Sequence, residues 1–354
     1  MAVSILGNRV VRVEDPGFLT RGAVYTDDVQ DERLDGACYV FFVRSPIAHA
    51  RVNSVDLSAV RDAPGVIAAY TAADLLDGVP DLKPMMSIIN QDMTQPLLAR
   101  DVVRFAGEPV AVIVTEQPYQ GEDAAELADV DYDPLPVAVD MSDAARDDAE
   151  RLFPEAGTNV AATFGDAAKF DPSLFDGCEV VVSRTIENQR VAPAPMESRA
   201  AAAAWGDDGR LSAWIPNQGA QGTRASLAAM LGLDPARVRI ITPAVGGGFG
   251  AKFGADPEHG LVCLVARKLG RPARWTETRN ENLAGMTHGR AQRQTVTIGG
   301  SRDGTVLAYR LEVIQDCGAY PKIGTILPSL TILMTPGPYG FGRAEAAAVA
   351  VAGA

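Results

Sequence analysis

The run Gly246-Gly247-Gly248-Phe249-Gly250 is the part of this sequence best suited to hold a ligand through backbone. Glycines carry no Cβ to keep a bound group at a distance, and successive amides can donate hydrogen bonds to an anionic group such as a phosphate. The spacing is neither the GxGxxG of dinucleotide folds nor the GxxxxGK[ST] loop of nucleotide hydrolases. An NAD or FAD site also needs an acidic residue about 20 positions beyond its fingerprint. Glu258 falls too early for that and Glu277 too late. Ligand contact and a plain tight turn both stay open for the loop taken alone. Gln218 and Gln221 precede it by one helix length and could return to the same place. Lys252, beside the loop, could meet a phosphate.

The other polar candidates read more blandly. Glu197 and Arg199 fit a solvated ion pair, and Glu277 and Arg279 fit surface positions at a strand edge. His49, His259 and His288 are isolated, and none is assigned to a metal. Cys38, Cys178, Cys263 and Cys317 lie too far apart for a CxxC site or the clustered thiolates of an iron–sulfur site. They are expected as reduced, mostly buried thiols.

The elements that must position the loop are a strand at 238–242 before it and a helix through 261–267 after it. A strand at 211–215 and a helix over 221–231 precede these. Leu227, Met230 and Leu231 give that helix its apolar spacing, and Gly232 its stop. A strand at 179–184 opens this second domain. Towards the amino terminus, strand patterns at 38–44 and 109–115 and short helices at 55–60, 71–75 and 119–127 make a compact α+β unit. The division predicted is an irregular lead-in at 1–18, an α+β domain at 19–138, a linker rich in Pro, Asp, Ala and Gly at 139–176, and a second domain at 177–342. An Ala-rich tail at 343–354 has the propensity for a short helix but no apolar stripe. The fold class is α+β in two domains, the second one incomplete.

Composition narrows the function. With 354 residues and 47% hydrophobic content the chain can bury two cores, so it should fold. Its net charge of −13, with carboxylates spread throughout, offers no basic stripe for nucleic acid. No uncharged apolar stretch nears the ~18 residues of a membrane span. Residues 1–9 lack the basic-then-apolar pattern of a secretory signal, so the expected location is the cytoplasm.

Several stretches together carry more than the loop does. Val11-Arg-Val-Glu-Asp-Pro16, Leu19-Thr-Arg-Gly22, Tyr25-Thr-Asp-Asp28 and Arg44-Ser-Pro-Ile-Ala-His-Ala-Arg51 are followed by Val103-Arg-Phe-Ala-Gly-Glu-Pro-Val110 and Asn188-Gln-Arg-Val-Ala-Pro-Ala-Pro-Met-Glu197. Asn217-Gln218, the glycine loop, Trp275-Thr-Glu-Thr-Arg279 and Thr287-His-Gly-Arg290 complete the series. In order and spacing this resembles the amino-terminal half of the large subunit of xanthine dehydrogenase/aldehyde oxidase-type molybdenum hydroxylases, over residues 8–339. The resemblance implies a hammerhead α+β domain followed by the first part of a molybdopterin-binding domain. It implies a molybdenum–molybdopterin cofactor, often the cytosine dinucleotide form in bacterial members. By resemblance Gln218 hydrogen-bonds an oxo ligand of molybdenum, while Gly247, Gly248, Phe249 and Gly250 pack against the pterin and metal-ligand region. The implied reaction inserts a water-derived oxygen at an electron-poor carbon, or oxidises carbon monoxide in one branch. Electrons then pass to an iron–sulfur small subunit and an FAD-binding medium subunit, in assemblies that pair two copies of the large subunit.

Two departures qualify the likeness. Phe253 stands where purine-oxidising relatives tend to carry a ring-orienting glutamate, which favours the carbon monoxide dehydrogenase-like and aldehyde-type branch. Family members also continue for about as many residues again, including the general-base glutamate; its absence costs ~10²–10⁴ in rate. Turnover by this chain alone is therefore not expected, and a partner chain carrying the carboxy-terminal half, or poor solubility without one, is. The alternative is a non-catalytic remnant that binds partner subunits without cofactor.

Overall fold

The computed structural model of the chain describes residues 6–7 and 11–353. Residues 1–5 and 8–10, on which most of the expectation of no leader at 1–9 and part of the lead-in at 1–18 rest, fall outside these residues, as does Ala354. The described part of the lead-in is not wholly irregular. Helix α1 spans Asp15–Arg21, with Pro16 in its first turn, where a missing N–H does no harm.

The amino-terminal unit is built from β1 (Cys38–Arg44), β2 (Ala50–Asp56), β3 (Val66–Thr71), β4 (Val102–Val103), β5 (Pro109–Thr115) and β6 (Asp129–Pro134). Short helices α2 (Ser58–Arg61), α3 (Ala72–Leu75) and α4 (Gln120–Ala125) connect them. The run Pro-Val-Ala-Val-Ile-Val-Thr is buried along all of β5, as an uninterrupted apolar strand must be when both sheet faces are covered. It pairs antiparallel with β1, Phe41 opposite Ile113, and with β3 on its other side. Strands β4, β2 and β6 make a separate three-stranded sheet. The expected helix at 55–60 starts only at Ser58, because 50–56 alternates towards β6 and becomes β2.

The later sequence extends the same large sheet. Strands β9 (Ala200–Trp205), β10 (Leu211–Trp214), β11 (Val238–Ile241) and β12 (Ala273–Thr276) join it in the order β11-β10-β9-β12-β1-β5-β3. Here β12 lies parallel to β1, with Cys38 opposite Ala273. The two segments therefore share a core: Phe42, Val112 and Val114 lie in one cluster with Ala203, Leu227, Val262 and Trp275. Helices α6 (Ala220–Met230) and α7 (Pro257–Leu269) pack on this sheet, α7 against β9. Five alanines make up most of β9, each at most 7% exposed. Alanine prefers helix by itself, but a central strand with no side-chain bulk lets a helix lie close above it, and tertiary packing overrides the propensity.

A second sheet orders β7 (Val160–Phe164), β15 (Arg343–Val351), β14 (Val306–Asp316), β13 (Gly289–Gly300) and β8 (Val180–Val191). Helices α5 (Met141–Ala144), α8 (Arg279–Gly285) and α9 (Leu327–Leu333) lie around it and the connection to the first sheet. Two sequence expectations are corrected here. The stretch read as linker, 139–176, contributes β7, and the tail at 343–354 is neither detached nor helical. It forms β15, parallel to β14 and antiparallel to β7, with Ala348 opposite both Val313 and Phe164. Both edges of β15 are hydrogen-bonded and Ala347, Ala348, Ala350 and Val351 are buried, gains that a lone solvated helical turn could not match. Among the described residues no helix is long and apolar enough to cross a membrane.

Candidate functional site

Strands β10 and β11 are parallel neighbours, Leu211 opposite Val238, joined by α6. Their carboxyl ends therefore open side by side, the usual place for a ligand in sheets of this construction. Gln218 follows β10 and the glycine loop follows β11. Asn217, buried between them, donates to Ile215 O (2.9 Å) and Thr242 Oγ1 (2.7 Å) and accepts from Gly219 N (2.9 Å), fixing the turn that carries Gln218.

The structure brings Gln218 and the loop together. Gly250 N donates to Gln218 Oε1 at 2.8 Å, Lys252 N donates to the same oxygen at 3.3 Å, and Gln218 N donates to Lys252 O at 3.0 Å. A Cβ on Gly248 would lie 2.5 Å from that oxygen, so only glycine permits this approach. Gln218 Nε2 donates to no protein acceptor among the described residues, and neither do the backbone N–H groups of Gly247, Gly248 and Phe249. Phe249 holds a left-handed φ of +52° and is 76% exposed at the loop tip. Such a conformation costs about 1–2 kcal/mol for a residue with a Cβ and collects at functional sites. Gln221 lies exposed on the first turn of α6 and makes no hydrogen bond to the loop. The helix expected directly behind the loop begins only at Pro257, so the loop's own amides, not a helix end, are the available donors.

The charged residues are arranged differently from their sequence reading. Glu197 and Arg199 are no solvated pair. Arg199, 3% exposed, donates through Nη1 and Nη2 to Glu258 (3.1 and 2.9 Å) and through Nε to Glu277 (2.9 Å), with Asp256 at 3.3 Å. Arg44 adds Glu258 (3.0 Å) and Glu281 (2.7 Å), and Lys322 adds Asp256 (2.8 Å). Burial opposes the charge on Arg199, but the carboxylates of Glu258, Asp256 and Glu277 outweigh it and hold the guanidinium's pKa well above the ordinary arginine value. Glu277 is itself only 2% exposed, not a surface residue. Arg279 donates to Pro195 O (2.7 Å) and Met196 O (2.8 Å), and so steadies the segment before Glu197. Lys252 is buried, its Nζ bonded to Glu197 O (2.8 Å) and Oε2 (2.9 Å), which leaves it no direct route to a phosphate. Sequence reasoning missed Glu197 as a partner of the loop. The only local signal was its place in Pro195-Met196-Glu197, directly before a buried strand. Phe253 borders a cavity of about 380 Å³ shared with Gly250, Ala251, Met85, Met93 and Met230.

The histidines bond to backbone: His49 with Pro136 O, His288 with Asp316 O, and His259 Nδ1 accepting from Asp256 N. The four cysteines are unpaired thiols.

The chain as a whole is similar to known proteins. A model of the aldehyde oxidase and xanthine dehydrogenase a/b hammerhead domain matches residues 20–136, and one of the molybdopterin cofactor-binding domain matches residues 152–352. The nicotine 6-hydroxylase large subunit of Paenarthrobacter nicotinovorans is 34% identical over 352 residues, covering 97% of this chain and 42% of that one. The carbon monoxide dehydrogenase large chain of Afipia carboxidovorans is 34% identical over 336 residues, covering 89% and 40%. The crystal structure of quinoline 2-oxidoreductase from Pseudomonas putida 86 superposes with a TM-score of 0.89 at 33% identity, over 98% of this chain and 44% of that one. The chain spans less than half the length of these relatives.

Proposed function

The chain belongs to the xanthine dehydrogenase/aldehyde oxidase family of molybdopterin-binding large subunits, with a hammerhead domain followed by the molybdopterin-binding domain, and from that premise we propose that its glycine loop and Gln218 form one wall of a molybdopterin site. The observation that carries this reading is the set of four donors without protein acceptors among the described residues: Gln218 Nε2 and the N–H groups of Gly247, Gly248 and Phe249. They suit a flat, acceptor-rich group lying against backbone where no Cβ fits. Gly250 takes part by orienting Gln218, since its N–H occupies the amide oxygen and turns the amide nitrogen outward. The donor set fits either the simple molybdopterin or its cytosine dinucleotide, and we favour the dinucleotide.

When bound, the molybdenum supplies two-electron redox chemistry and transfer of water-derived oxygen to an electron-poor carbon of a heterocycle or aldehyde, or to carbon monoxide. The chain's own residues bind and orient: the loop amides hold the group, Gln218 presents a donor to it, and the paired β10 and β11 below fix where both stand. The working assembly is proposed to include an FAD-binding medium subunit, an iron–sulfur small subunit and a second copy of the large subunit, in the cytoplasm.

The test is molybdenum and released pterin measured per chain in the assembly coexpressed with its encoded companions. About one molybdenum per chain is expected. Gly248→Ala, which drives a methyl into Gln218, should lower it ~10–100-fold, the range for losing a supporting contact at a metal site. An assembly without metal or pterin overturns the reading and leaves the remnant alternative.

A further inference from the structure

Beneath the loop, two residues that the sequence treats as unrelated meet. We infer that Glu197 and Lys252 are a positioning pair that fixes the entry and the exit of the glycine loop and so sets the direction of its free N–H groups. The inference rests on the reading of that loop as a cofactor cradle.

At the entry, Gly246 N donates to Glu197 Oε2 at 2.8 Å and Glu197 N donates to Gly246 O at 3.1 Å. The approach is close enough that a Cβ on Gly246 would lie 2.5 Å from that of Glu197. At the exit, the Lys252 backbone is tied to Gln218 in both directions, at 3.3 and 3.0 Å. The Lys252 side chain then crosses back under the loop to Glu197 Oε2 (2.9 Å) and Glu197 O (2.8 Å). One side chain thus closes a ring that runs from Gly246 through Glu197 and Lys252 to Gln218 and Gly250. At the top of the ring stands Phe249, in a backbone conformation that it would leave if the ends were free to move.

The pair is also made for holding, not for ligand contact. Lys252 is buried, and burial lowers its ammonium pKa against the pull of Glu197 first and of Glu277 second, with Glu197 the one carboxylate that its Nζ touches among the described residues. Glu197 Oε1 is buried without a partner, which leaves Oε2 alone to serve both Gly246 and Lys252. Removing either member takes from the other its ion-pair partner in a buried place, and the loop is the element free to shift in response.

The experiment uses the full chain in its coexpressed assembly, with Lys252→Met, Glu197→Gln and Lys252→Arg. Hydrogen–deuterium exchange is followed in peptides covering 244–253, β9 and α7, and molybdenum is counted per chain. Lys252→Met and Glu197→Gln should each raise loop exchange roughly tenfold or more, with β9 and α7 unchanged, and should lower molybdenum retention ~10–100-fold. Lys252→Arg, which keeps the charge, should rescue both readouts to within about threefold of the parent, less than a lost supporting contact produces. Loop exchange equal to the parent's in Lys252→Met and Glu197→Gln overturns the pair's role, whatever the metal content. Exchange that rises equally in β9 and α7 marks a general loss of fold and also overturns it. Faster loop exchange in an assembly whose parent carries no molybdenum upholds the pair and overturns the cofactor reading.

Discussion

Alanine at position 199 should destabilise the chain by about 3–5 kcal/mol, the cost of removing one partner from a buried ion network. Among the described residues Arg199 is the one cation that touches Asp256, Glu258 and Glu277 together. These residues stand on the approach to α7, on α7 itself, and after β12, so the guanidinium ties three elements at one point. With it gone, Arg44 and Lys322 still reach Glu258 and Asp256, but Glu277 keeps only neutral donors: Asn282 Nδ2 at 2.7 Å and the backbone N of residue 199 at 3.0 Å. Urea unfolding measures the effect. Lys at 199 should recover part of the loss by restoring charge without the forked geometry, whereas Met should recover almost none. A loss under about 1 kcal/mol would place Arg199 with exposed pairs and contradict the network's role.

Glu108 should give the chain a pH dependence of opposite sense to that of most carboxylates. It is 2% exposed, accepts from Arg104 N and Tyr320 OH, both at 2.6 Å, and burial pushes its carboxyl up to about 7 from the usual 4.5. Below pH 4.5 both folded and unfolded chains hold the proton, and Glu108's contribution is fully present. Between 4.5 and about 7 only the folded chain holds it, so the contribution falls as pH rises. At 1.36 kcal/mol per pKa unit the change is roughly 3 kcal/mol. Glu108→Gln should therefore overtake the parent in stability as pH passes from 5 to 8, as read by urea midpoints at each pH. A difference between the two proteins that stays constant across that range would mean that Glu108 is ionised throughout.

What the sequence disclosed depended on how local the cause was. The glycine loop and Gln218 were legible because glycine's meaning lies in its own backbone, and the strand–helix–strand framing them follows from short-range periodicity. Strand β5 was legible as an unbroken apolar run. Alanine runs were not. Those of β9 and β15 carry no alternation and lean towards helix, and only neighbours far along the chain make strands of them. Arg199 and Glu277 looked solvated for the same reason: a charge pattern does not reveal that partners from three elements converge. Lys252 was noticed for the right neighbourhood and the wrong partner, since its ammonium lies under the loop and not beside a ligand.

The placement of β15 also orders events in time. Strand β7 has β15 as its one partner in the sheet, and the two are separated by half the chain. On the ribosome, β7 emerges early and waits, an unpaired strand, while β8, β13 and β14 can already zip into antiparallel neighbours. Closing so long a loop adds little to the equilibrium cost but much to the waiting time. Of the five strands described in this sheet β15 comes latest in the sequence and inserts between β14 and the waiting β7, and until then the nascent chain exposes Ala162, Phe164, Leu311 and Val313, which later share one core with Ala348 and Ala350.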